Sequence, residues 1–254
     1  MHRHVRILSG LLFLSATSFV MASDEKKMPD DQINPVEIVK KADEATKAVK
    51  AVRYQGSMQT EGGAAERYRL CEGSAVFEKN AKSELGRSRV EVSGRVGKAP
   101  ETRRVVVGTD GENSYMIDHD AKTAYVDVDP MVQGSGRTLA AGVLMLEYAH
   151  PRPFSDEINA KDHKYEGIEK VGDVECHKVS LAYANAPQKA VWYFGKNDFL
   201  PRKVIRQFVD QASGEVQGST TQTVTKLEVD PKLTGDEFKF TLPEGYKKSD
   251  DFAP

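Results

Sequence analysis

The chain has 254 residues, 39% hydrophobic and 29% charged, with a formal net charge of −2 at pH 7. That length suits one domain with a sizeable core. The slightly acidic balance gives no electrostatic reason for broad binding to nucleic acid or to anionic lipid surfaces.

Residues 1–22 read as a secretory signal peptide: Arg3 and Arg6 give a positive start, residues 7–20 are apolar and uncharged, and Val20, Met21 and Ala22 precede a cleavage point before Ser23. The apolar run is shorter than the ~20 residues a membrane span needs, and no later segment is long enough, so the mature chain is expected to be soluble with no transmembrane segment. No Cys follows the run, which rules out lipidation there. Residues 23–33 are charged around Pro29 and read as a flexible leader. Asn34 and Pro35 then open a helix, with Glu37 completing a capping-box pattern. Ile38, Ala42, Ala45, Val49 and Val52 form its narrow apolar stripe.

From Arg53 the periodicity becomes that of strands, with candidates at 52–59, 67–78, 87–96, 103–108, 114–118 and 124–129, separated by turn residues such as Gly62-Gly63 and Asp110-Gly111. Residues 138–148 are apolar on nearly every side and read as a buried or covering helix, preceded by Gly134-Ser135-Gly136 and followed by Pro151 and Pro153. Strands resume near Tyr165 and at 174–183. Residues 191–209 form a hairpin: Val191 to Phe194 on one side, Val204, Ile205, Phe208 and Val209 on the other, and turn chemistry at Gly195, Asn197 and Asp198 between. Further strands are expected at 216–229 and 237–242, and residues 247–254 read as a tail.

Helix, strands, helix, strands, joined by short turns, predict an α+β fold. The economical form is a curved antiparallel β-sheet, an unclosed half-barrel, with helices covering its concave apolar face. Residues 34–246 form this one domain.

Several motifs resemble the LolA-like outer-membrane lipoprotein carriers. Val191-Trp192-Tyr193 and Leu200-Pro201-Arg202-Lys203-Val204 are similar to a hairpin of that family, and Glu237-Phe238-Lys239-Phe240 with Leu242-Pro243-Glu244-Gly245 to its closing strand. Thr109-Asp110-Gly111, Tyr115, Lys122 and Tyr125 resemble its central hairpin, and residues 167–172 leading to Cys176 resemble a strand pair of its periplasmic relatives. The resemblance implies a periplasmic, non-enzymatic carrier that holds acyl chains of lipoproteins or lipids in an apolar cavity and serves outer-membrane biogenesis. It needs no cofactor and acts with envelope protein partners. Leu139, Val143, Leu144, Leu146, Trp192 and Phe194 are the candidates to line the cavity. In the family a buried Arg on an early strand holds the covering helix; Arg87, Arg89, Arg95, Arg103 and Arg104 all stand open for that role. An envelope-stress lipid sensor of the same fold and an envelope hydrolase are the alternatives.

Other chemistry is sparse. Asp118-His119-Asp120, with Asp127 and Asp129, is the best metal candidate, yet it reads as a polar turn and an outward strand face, so no metal is expected. No catalytic-serine, zinc-protease or phosphate-loop motif is present. Cys71 and Cys176 lack the spacing of a thiol–disulfide enzyme. Export suggests that they form a disulfide, worth roughly 4–5 kcal/mol for a long loop; two buried thiols are the alternative.

Overall fold

The computed structural model describes residues 33–66, 69–80, 83–126, 134–184 and 186–249. The signal peptide, the leader up to residue 32, Asp127, Asp129 and the last tail residues lie outside the described residues. The helix α1 spans Pro35–Ala48, and the Asn34 side chain accepts the Val36 amide at 3.0 Å to cap it. Ile38, Val39 and Ala42 turn inward. Val52, expected on the same stripe, already belongs to the next strand.

The strands β1 (Ala51–Gly62), β2 (Arg69–Asn80), β3 (Ser83–Val96), β4 (Arg103–Thr109), β5 (Ser114–Asp118) and β6 (Thr123–Val126) precede α2 (Gly134–Val143) and the short α3 (Ser155–Ile158). The strands β7 (Lys161–Val171), β8 (Val174–Ala182), β9 (Gln188–Gly195), β10 (Pro201–Val209), β11 (Val216–Val229) and β12 (Lys247–Ser249) follow. All twelve form one open sheet in the order β12-β6-β5-β4-β3-β2-β1-β11-β10-β9-β8-β7. The β1 strand is central. One arm runs outward as β2 to β6, the other as β11 back to β7. Every pairing is antiparallel except β12 on β6, which is parallel. The fold is therefore α+β, a curved open sheet with helices on one face.

Alternation sorts the two faces. On β1, Val52, Tyr54 and Met58 are buried towards the helices, while Gln55 and Gln59 point outward. Ala75 and Phe77 on β2, Val90 and Val92 on β3, Val105 and Val107 on β4, and Trp192 and Phe194 on β9 join them in one core. The α2 helix lies across β1 to β4, and α1 lies near β7 and α3. A close approach brings α2 to the sheet: a Cβ at Gly56 would sit 2.8 Å from the Val143 carbonyl, and one at Gly136 would sit 2.3 Å from the Met116 sulfur.

Four expectations change. The covering helix starts at Gly134, earlier than the 138 expected, and stops at Val143; Leu146–Tyr148 is a 3-10 turn. A third, four-residue helix was not expected. Residues 237–242 are not a strand: a 3-10 turn at Asp236–Phe238 buries Phe238 under the Arg87 guanidinium, and Phe240 packs 5.5 Å from the Tyr115 ring. Their apolar alternation serves packing across the outer face of the sheet. Conversely Lys247–Ser249, the start of the expected tail, is a strand.

The disulfide is corrected as well. Cys71 on β2 faces the helices, with its Sγ 3.6 Å from the Leu139 carbonyl oxygen, whereas Cys176 on β8 lies against Tyr193 and Val171 on the other face. Five strand spacings separate β2 from β8, about 24 Å at ~4.8 Å each, far beyond the ~7 Å Cα limit for a bridge. Both are buried thiols.

Candidate functional site

Beside α1, the concave face of the sheet is covered by one continuous segment, from α2 through the 3-10 turn to α3. Its apolar side chains, Leu139, Ala140, Val143, Leu144 and Met145, are all buried. A helix end leaves backbone groups without helical partners. Here side chains of the sheet satisfy them. The Tyr54 hydroxyl on β1 accepts the Met145 amide at 2.8 Å and donates to the Val143 carbonyl at 3.3 Å. Gln222 Nε2 on β11 donates to the Gly142 carbonyl at 3.1 Å. Further on, the Tyr148 hydroxyl donates to the Pro201 carbonyl at 3.0 Å, and Arg206 on β10 pairs with Glu147 at 2.7 Å. Burial drives both the Tyr54 and Tyr148 phenols well above their ordinary range, so both stay neutral.

An aromatic cluster anchors the far end. Phe154 meets Trp192 and Phe194 edge to face, at 5.0 and 5.2 Å, and those two rings stack at 5.7 Å. The Phe154 amide donates to Asp43 of α1 at 3.2 Å.

Leu139, Val143, Leu144, Trp192 and Phe194 thus gather in one core, with Leu139, Val143 and Leu144 on the covering segment and Trp192 and Phe194 on the sheet beneath Phe154. Leu146 does not join them. The chain has left the helix by that point, and Leu146 is 48% exposed. Of the early-strand arginines, Arg87 pairs with Glu78, Arg89 with Glu91, Arg103 with Asp118 and Arg104 with Asp120. The ion pair that ties the covering segment down comes instead from Arg206, on the opposite arm. Asp118, at the centre of the metal candidate, also accepts the Asp120 and Ala121 amides at 3.0 and 2.9 Å, as a turn carboxylate does.

Beside the 3-10 turn opens a pocket of about 520 Å³, walled by Glu147, Arg152, Asp156, Glu157, Tyr183 and Arg206. Glu157 is 6% exposed and accepts the Tyr183 hydroxyl at 2.6 Å; burial pushes its carboxyl above the ordinary range. The Arg206 guanidinium lies 5.2 Å over the Trp192 ring. A groove of about 690 Å³ on the opposite face is lined by polar side chains such as Ser57, Glu72, Ser93 and His119, away from the covered core. Sequence reasoning missed Tyr54, Gln222, Glu157, Tyr183 and Arg206. Single polar residues on alternating strands carry no signal of what they meet across the fold.

The fold and this site define a class: an open β-sheet whose apolar face is closed by a polar-tethered segment. No protein-family model matches the sequence. No curated protein matches it. Solved structures do. MucB matches with a TM-score of 0.49 at 10% identity, over 82% of this chain and 62% of that one, so this chain spans less than two thirds of MucB. The Mycobacterium tuberculosis lipoprotein LppX matches with a TM-score of 0.45 at 10% identity, over 78% of this chain and 96% of that one. A LolA superfamily protein from Nitrosomonas europaea matches with a TM-score of 0.35 at 10% identity, over 82% of this chain and 98% of that one. Among the described residues, no helix is long and apolar enough to cross a membrane.

Proposed function

We propose that this protein is a non-enzymatic periplasmic binder of acyl chains, carried by lipoproteins or other lipids, and that the chains take the place of residues 134–145 of the covering segment on the concave face, while the rest of the segment stays seated. The observation that carries this is the way the segment is held. Its apolar residues lie on an apolar sheet, and Tyr54, Gln222 and Arg206 hold its backbone and Glu147 by polar bonds that water can replace on opening. The energies are of one size. Leu139, Val143, Leu144 and Met145 lose roughly 6–12 kcal/mol on leaving the core, at ~1.5–3 each. An acyl chain that buries about fifteen CH₂ groups returns about 12 kcal/mol. Exchange is then near balance, as loading and release require. Residues 1–22 are removed on export, residues 34–246 form the binding domain, and an envelope partner takes the cargo.

The test is extraction of protein purified from the periplasm, followed by lipid mass spectrometry, together with uptake of a fluorescent fatty acid by the delipidated protein. Acylated lipid in stoichiometric amount and saturable uptake are the expected results. A protein that carries no lipid and takes up none is not an acyl-chain binder. Mass determination of the exported chain should place its start at Ser23 or a near neighbour.

A further inference from the structure

The pocket beside the 3-10 turn has chemistry that acyl chains do not use. Its volume of about 520 Å³ is that of a small-ligand site. Glu157, 94% buried, is held by the Tyr183 phenol, while the nearby Arg206 is committed to Glu147 at 2.7 Å. A carboxylate still has acceptor positions after one phenol bond. The exposed Arg152 also lines the pocket and brings a positive charge to it. Behind Arg206 the Trp192 indole N–H is buried beside the Tyr183 hydroxyl. The pocket therefore offers a desolvated acidic acceptor and a separate guanidinium fork. A carboxylate in that setting favours an ammonium, and a guanidinium favours a phosphate.

We propose that this pocket binds a zwitterion that carries an ammonium and a phosphate, with the ammonium at Glu157 and the phosphate at Arg152. As the headgroup of an ethanolamine phospholipid it would sit where the covering segment meets β9 and β10, with the acyl chains running along the part of the concave face that α2 vacates. That placement of the chains rests on the acyl-binding function proposed above; the headgroup chemistry does not.

Trp192 is the single tryptophan of the chain and lies against the pocket, so its fluorescence reports binding, with calorimetry as the second readout. Four probes are titrated into the full mature protein: monomeric dihexanoyl-phosphatidylethanolamine, dihexanoyl-phosphatidylglycerol, dihexanoylglycerol and free glycerophosphoethanolamine. The ethanolamine lipid should bind about tenfold tighter than the glycerol lipid, as one charge-assisted contact allows. Glu157→Gln keeps an acceptor for Tyr183 and removes the charge, so it should abolish that preference. Arg152→Gln, at an exposed position, should weaken both phospholipids relative to dihexanoylglycerol. If dihexanoylglycerol binds and the two phospholipids bind alike, the headgroup site is wrong and acyl binding stands. If glycerophosphoethanolamine binds and dihexanoylglycerol does not, the site stands for a soluble phosphate ester and acyl binding falls. If no probe binds, both are overturned.

Discussion

Tyr54→Phe tests whether the covering segment opens as a unit. The substitution keeps the ring, its volume and its packing 5.9 Å from Tyr148. It removes the hydroxyl that accepts the Met145 amide at 2.8 Å and donates to the Val143 carbonyl at 3.3 Å. Each buried group left without a partner costs ~1–3 kcal/mol. With the longer contact counted at the low end, the sum is about 2–4 kcal/mol. If the cost falls on opening of the segment alone, its opening constant rises about 30- to 700-fold, at ~1.4 kcal/mol per factor of ten. Native-state hydrogen exchange read by mass spectrometry should show that acceleration in peptides covering 139–148 and none in β9 and β10. Unchanged exchange at Leu144 and Met145, with the fold intact by circular dichroism, would refute the role given to the hydroxyl. Equal acceleration across the whole sheet would show that the segment and the core open together.

Gly56→Ala places a methyl 2.8 Å from the Val143 carbonyl, so chemical denaturation should show a loss of about 1–3 kcal/mol; wild-type stability would mean that α2 is not seated on β1 as described. Leu139→Ala, at a site 1% exposed, should lose about 2–5 kcal/mol in the same assay, and a loss below about 1 would contradict its burial. Burial pushes the Cys176 thiol up to about 11, so native protein should react slowly with thiol reagents at pH 8 and release two thiols on denaturation without reductant; a count of zero would restore the disulfide. Burial, ahead of the Lys196 and Lys41 charges, holds His177 below its ordinary 6.5. The unfolded chain then binds that proton more readily, so the stability from this group is full above about pH 6.5 and is lost as pH falls from there through the lower value of the folded state. His177→Asn should flatten the decline of Tm between about pH 7 and 5, and an unaltered slope would assign the decline to other groups.

The fold was most legible where local chemistry and tertiary role coincide. The hairpin of β9 and β10 follows from apolar alternation flanking Gly195, Asn197 and Asp198, with Phe199 in the left-handed region at φ 55° closing the turn. The α1 start follows from Asn34 and Pro35, because a cap is a local hydrogen bond. Residues 237–242 misled because alternation records burial, not pairing: Phe238 and Phe240 bury against the outer face without a ladder. Apolar composition announced the α2 region, but its end at Val143 depends on Tyr54 and Gln222, which arrive from distant strands. Of the six residues expected to line a cavity, Leu139, Val143, Leu144, Trp192 and Phe194 lie packed in one core; Leu146 does not, because the helical period used to place it ends before it. Buried acids such as Asp43 and Glu157 were not legible at all, since a carboxylate is read as solvated until its partners, the Phe154 amide and the Tyr183 hydroxyl, are known.

The central position of β1 has a mechanical consequence. Each arm of the sheet is a string of neighbours in sequence, and the arms are stitched together along the ladder where Val52 faces Val229 and Gly62 faces Gly218. The helix α2 rides on β1 and the strands of the first arm, while α1 contacts β7 at the rim of the second. The irregular register between Arg53 and Gln55 bends and twists β1 on that same ladder. The β1–β11 ladder thus joins the arm that carries α2 to the arm whose rim meets α1, so the twist of the sheet along it sets how the two helices lie relative to each other.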